Sequence, residues 1–318
     1  MTTVTTQIKL TPEHSARPGV SMRSRLQDAL PKIVLAPSFA ITIVFVYGFI
    51  LWTVYLSFTN SKTFPSYALT GPRAYQRLWR WTFESDPPSS WYTSIINMGI
   101  FGFLYIFICL ALGLFLAILL DQKIRGEGML RPIYLYPMAL SFIVTGVAWK
   151  WFLDPGLGLE QTLHQWGWTN FHFDWIKNKD FVIYTVVIAG VWQASGFIMA
   201  MFLAGLRGID GEIMKAAQID GATTFQLYRR IVIPLLRPIF LSAFIVLAHL
   251  AIKSYDLVVA LTSGGPGGSA WLPSNFMYEY TFKRNEMAVG SASAVIMLMT
   301  ITAIIVPYLY SELREKPR

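Results

Sequence analysis

Charge is scarce in this chain. Only 14% of its 318 residues are Asp, Glu, Lys or Arg, where soluble domains carry about 25%. Cysteine is rarer still: Cys109 stands alone inside an apolar run, which excludes an intrachain disulfide and leaves the redox compartment unspecified. Motifs for unaided chemistry are missing too. Gly264-Gly265-Pro266-Gly267-Gly268 has no Lys-Ser/Thr ending and so is no phosphate-binding loop. Neither a Gly-x-Ser-x-Gly elbow nor a His-Glu-x-x-His pair occurs. Of the four histidines, His14, His164, His172 and His249, only His164 and His172 share a loop, without an acidic or thiol companion in view, so structural roles are expected for them and no metal is assigned. The net charge of +8 is scattered around apolar segments rather than clustered. That pattern fits membrane orientation and speaks against a nucleic-acid partner.

Apolar length is what the chain has in abundance. It is 54% hydrophobic with a mean hydropathy of +0.47, and several uninterrupted apolar runs approach the roughly 20 helical residues needed to cross a bilayer core about 30 Å thick. The windows predict an all-α membrane protein with six spans: Ile33–Phe58, Ser94–Leu120, Pro132–Leu153, Phe181–Leu206, Pro238–Leu261 and Ala288–Tyr310. Residues 1–30 form a polar tail too long for a signal-peptide n-region, so the first window is read as a retained span. With that tail inside, about 16 Lys and Arg fall on inner segments and about 8 on outer loops, the sense of the positive-inside rule. Both termini are then cytoplasmic: tail 1–30, a six-span domain 31–311 with an inner loop 206–237, and tail 312–318. Trp79, Trp81, Trp91 and Tyr92, and then Trp149 and Trp151, sit where interfacial aromatics belong. The outer loops are rich in Pro, Gly and aromatics and read as ordered caps.

The inner loop is the most informative stretch. Glu212 to Ile219 holds good helix formers, with Ile213, Ala216, Ala217 and Ile219 apolar. Gly221 suits the left-handed turn that ends a helix. Thr223 followed by Gln226 is a capping-box pattern that starts another. Phe225, Tyr228, Ile231 and Val232 then make an apolar stripe, and Pro234 and Pro238 mark the return to the bilayer. Periodicity alone fits a connector whose stripe rests on the protein's own helices.

The segment resembles the loop that defines inner-membrane permeases of binding-protein-dependent ABC importers: Glu-Ala-Ala, three residues, Gly, nine residues, Ile, one residue, Leu-Pro. Here it reads Lys215-Ala216-Ala217, Gly221, Ile231 and Ile233-Pro234, with Asp220-Gly221-Ala222 between. Trp192-Gln193 through Gly196-Phe197, Leu203-Ala204-Gly205-Leu206, Tyr255-Asp256-Leu257 and Leu261-Thr262-Ser263-Gly264-Gly265-Pro266 are similar to the sugar-importing branch, and the resemblance spans roughly Lys32 to Tyr310. It implies a cytoplasmic helix-turn-helix coupling loop between spans four and five. It also implies an ATPase-docking site at Lys215, Ala216, Ala217, Asp220, Gly221 and Ala222, with Lys215 standing where the family usually has Glu. The partners it implies are two copies of an ATPase subunit that bind ATP and Mg²⁺, a second permease and an extracytoplasmic solute-binding protein, in the bacterial inner membrane. This chain would bind no cofactor and would not be an enzyme. Its cargo would be a sugar, a monosaccharide such as glucose first, with an oligosaccharide or a polyol as the alternative.

Polar residues inside spans are costly and therefore suspect. His249, Lys253, Ser254 and Asp256 punctuate the fifth window; helical spacing would put His249 with Lys253 and Lys253 with Asp256. These residues read either as a Lys253–Asp256 ion pair that locks packing or as a polar wall for a solute. The candidate solute path is Trp192, Gln193, Phe197, His249, Lys253 and Ser254. An ion-coupled secondary carrier is the alternative, with Asp256 or His249 titrating; an intramembrane hydrolase would need a second carboxylate facing Asp256.

Overall fold

In a computed structural model the described residues are 32, 34–84, 90–122 and 126–314. Among them the chain is helical apart from its connections and an isolated bridge between Thr59 and Leu69. The N-terminal tail and the basic residues Lys123, Arg125, Lys316 and Arg318 lie outside the described residues. Four unbroken helices are long and apolar enough to span a membrane, and two sharply bent pairs raise the number to as many as six.

The chain divides into two compact units after Trp52. In the first unit, helix α1 (Val34–Ser57) begins, apolar around its circumference with Phe39, Val44, Phe45 and Leu51 exposed. A helix without a polar face belongs in lipid. It carries a π-helical stretch at Thr42–Tyr47.

The second unit holds the remaining helices: α2 (Arg73–Glu84), α3 (Ser90–Asp121), α4 (Glu127–Ala139), α5 (Phe142–Phe152), α6 (Leu159–Gln165) and α7 (Val182–Arg207). They are followed by α8 (Gly211–Ile219), α9 (Thr224–Leu235), α10 (Arg237–Ile252), α11 (Tyr255–Thr262), α12 (Pro273–Tyr278) and α13 (Met287–Arg314). α7 is the axis, with 72% of its most apolar window buried. In lipid there is no hydrophobic drive between helices, so small residues that let backbones approach do the joining. A methyl on Gly196 of α7 would overlap the carbonyl oxygen of Tyr134 in α4, and one on Gly146 of α5 would lie 2.6 Å from Cβ of Ala260 in α11. Away from the axis, Leu78, Trp91, Phe276 and Ala292 form a second apolar cluster. The loop after α11 is clamped by Asn97, whose Nδ2 donates to the carbonyls of Ser269 at 2.7 Å and Trp271 at 3.0 Å.

Two windows depart from the straight spans expected. Pro132–Leu153 is α4 and α5, bent by 102°. Pro132 and Pro137 deprive α4 of backbone donors, and Ser141 caps the new helix by accepting from the Val144 amide at 3.3 Å. Pro238–Leu261 is interrupted at Lys253–Ser254, between α10 and α11. Tyr255 N–H donates to Lys253 at 2.8 Å in place of a helical bond, so the His249, Lys253 and Asp256 spacing does not run along one helix. Among the described residues no ion pair joins Lys253 to Asp256. The outer-loop expectation holds in part: α2, α6 and α12 give those segments ordered helical caps.

Candidate functional site

The loop between α7 and α10 is an elbow built by local chemistry. Asp210 starts α8, its carboxylate accepting from Glu212 N–H at 2.9 Å. α8 ends at Asp220. Gly221, at φ +80°, turns left-handed, its amide donates to Gln218 at 3.1 Å and that of Ala222 donates to Ala217 at 3.0 Å. This is the Schellman arrangement, and a side chain at Gly221 would strain it. Thr223 then begins α9 with a reciprocal capping box: Gln226 N–H donates to Thr223 Oγ1 at 3.3 Å, and Thr223 N–H to Gln226 Oε1 at 2.9 Å. Both helices are thus fixed at their junction, and a bend of 65° leads from α9 into α10.

The elbow has an inner and an outer face. Ala217, Leu227 and Val232 are buried in the chain's core, with Tyr228 and Ile231 packed against it. Lys215, Ala216, Asp220 and Gly221 are exposed and Ala222 is half-buried. Ala217 therefore anchors the elbow rather than facing outward. The predicted stripe also splits: Phe225 leaves it and stands 69% exposed, and Ile219 at 86% and Ile213 at 43% are exposed on α8.

The predicted solute-path residues do not form one wall. Trp192, 40% exposed, lines a cavity of about 510 Å³ with Tyr134, Pro137, Trp149 and Ser195, and its ring meets that of Trp149 edge-on at 5.8 Å. Neighbouring Gln193 is buried; its Nε2 donates to the Leu140 carbonyl at 2.7 Å, while Oε1 is buried without a partner. Phe197 packs on the core. His249 lies in a narrow crevice with Ile301, Ile304 and Ile305 of α13, Lys253 is exposed, and buried Ser254 donates back to Leu250 at 2.8 Å. Sequence reasoning missed Tyr134 and Trp149 as cavity walls, the latter having been assigned to an interface.

A family model described as binding-protein-dependent transport system inner membrane component matches residues 109–315. A probable ABC transporter permease protein of Pyrococcus horikoshii is 40% identical over 92% of this chain and 100% of its own length. The xylose/arabinose import permease protein XacH of Haloferax volcanii is 37% identical over 65% of this chain and 66% of its own length. In fold, a bacterial ABC transporter involved in the import of the acidic polysaccharide alginate matches 93% of this chain and 99% of that one, with a TM-score of 0.77 at 16% identity. The chain belongs to the binding-protein-dependent inner-membrane permease family. It is a multi-pass permease subunit, not an ATPase.

Proposed function

We propose that this chain moves a sugar inward, a monosaccharide in first place, as one of two transmembrane subunits driven by a pair of ATPase subunits and supplied by an extracytoplasmic solute-binding protein. Both termini and the elbow face the cytoplasm in this reading. ATP and Mg²⁺ belong to the ATPase. XacH, by its name, imports xylose and arabinose, and the monosaccharide part of this reading rests on that likeness. One observation carries the docking assignment: Ile213, Ile219 and Phe225 are displayed on a turn that is capped on both sides. Lys215 and Asp220, exposed on the same elbow, set the charge pattern a partner cleft must match.

Mechanically, a push on Phe225 or Ile219 reaches α7 through Arg207 to Asp210 and reaches α10 through Leu236, which is buried. Rigid-body transfer of this kind needs stiff elements, and the caps supply them. Within the bundle, Trp192 and Trp149 offer aromatic faces at the cavity.

Expression of the chain with its neighbouring genes, followed by affinity purification, tests the assembly; an ATPase and a second permease should come with it. Reconstituted vesicles should take up labelled glucose or xylose only with ATP inside and binding protein outside. Uptake by this chain alone, abolished by an uncoupler, would establish an ion-coupled carrier instead.

A further inference from the structure

The loop between α5 and α7 contains an arrangement that transport does not use. α6 places Glu160 and His164 four residues apart, on one face of the helix. The helix then closes with a left-handed Gly167 at φ +95°. Its amide donates to His164 at 3.0 Å, and Trp168 N–H donates to Leu163 at 3.0 Å. This turn sends the chain back alongside α6 and brings His172 to Glu160, its Nδ1 3.1 Å from Oε1. The acidic companion missing from the sequence reading of His164 and His172 is therefore Glu160. One ligand atom from each of the three residues lies within 4.8 Å of the other two.

The surroundings fix two of the three groups in the state a metal needs. His164 Nε2 donates to the Phe171 carbonyl at 2.7 Å. Because a carbonyl only accepts, a proton sits on Nε2, and Nδ1 is the ring atom left to face a metal. A backbone carbonyl holding the far nitrogen is the usual support of a metal-bound imidazole. Phe173 N–H donates to Glu160 Oε2 at 3.1 Å, orienting the carboxylate. The His172 ring first, and that amide second, hold the Glu160 carboxyl below its ordinary value. The side chain of His172 is 75% exposed.

The geometry points to a zinc-type cation site formed by Glu160, His164 and His172. Two imidazoles and one carboxylate are a borderline donor set that suits Zn²⁺ over Ca²⁺ or Mg²⁺. Bonds of about 2.0–2.2 Å require the ligand atoms to close to roughly 3.5 Å of one another, a rotation open to exposed His172. Three protein ligands leave the fourth position to water. The clip would fasten α6 to residues 171–173, from which an aromatic ladder continues: Phe173 on Trp175 at 4.7 Å, Trp175 on Phe181 at 5.6 Å, and Phe181 near Tyr184 of α7 at 6.2 Å. A cation here would thus set how firmly this loop is seated on the start of α7.

The test uses the full chain without a histidine tag, purified in detergent, stripped with chelator, equilibrated with zinc sulfate and desalted. Elemental analysis should find about one zinc per chain. His164→Ala and His172→Ala should each lower retention about tenfold or more. Glu160→Gln keeps an acceptor for Phe173 N–H, so the loop stays built, and should also lower it. Zinc should slow protease cleavage between residues 166 and 173 in the original chain and not in His172→Ala. Wild-type protein that retains no zinc, or any of the three variants retaining as much as wild type, overturns the site.

Discussion

Gln193 donates from Nε2 to the carbonyl oxygen of Leu140 at 2.7 Å, and Leu140 is where the third apolar segment turns between two helices bent by 102°. A helix that breaks inside a membrane frees carbonyls that no water can satisfy. Gln193 supplies the missing donor from the neighbouring helix, so the bend in α4 and α5 and the position of α7 are set together.

Replacing Gln193 by Leu should therefore cost stability as well as transport. Leaving a buried carbonyl unmet costs about 1–3 kcal/mol. Thermal unfolding in detergent, followed by tryptophan fluorescence, should shift to lower temperature, and uptake should fall. An unchanged unfolding temperature would remove the bond from the account.

At the elbow, Gly221 is at φ +80°, a region that costs most residues about 1–2 kcal/mol. Gly221→Val should uncouple ATP hydrolysis from uptake while the spans remain folded. Gly221→Asn, which tolerates the left-handed region, should retain most uptake. Equal loss in both variants would mean that the surface, rather than the turn, is what matters.

The exposed side chains of Ile219 and Phe225 give a sharper test of docking. Neither packs in the core, so Ile219→Asp and Phe225→Asp should leave the chain folded. Each should reduce recovery of the ATPase subunit on affinity purification by about tenfold, the effect of losing about 1.4 kcal/mol. Undiminished recovery in the double variant would falsify the assignment.

Two glycines should respond in opposite directions. Gly99 has open space at its Cβ position on α3, and Ala there should stabilise by about 0.5–1 kcal/mol. Gly196→Ala meets the Tyr134 carbonyl and should destabilise by about 1–3 kcal/mol. Comparing their unfolding temperatures with that of the parent checks both the seam and the register of α7 upon α4.

What was legible in the sequence was local or long. Thr223, Gln226 and Gly221 announce their caps within a few residues, and the structure has the capping box and the left-handed turn where those residues predict them. Apolar length located the long apolar helices, but hydropathy has no direction. It could not register that Leu140 turns the chain, although Ser141 was a readable cap. Pairing His249, Lys253 and Asp256 assumed an unbroken helix that the Lys253–Ser254 interruption removes. Glu160 was overlooked because the histidines were compared only with each other, and the fold brings His172 back to Glu160 by way of Gly167.

With the cavity taken as the proposed solute path, the absence of room at Gly196 also limits how solute preference can drift. α7 and α4 form two walls of the roughly 510 Å³ cavity, and with a backbone oxygen seated against a bare Cα neither wall can slide or swivel alone. Divergent members of such a lineage would have to re-tailor the lining instead, for instance by trimming or enlarging Ile133, Ile188 or Val191. Selectivity would then evolve by upholstery on a fixed frame, one side chain at a time.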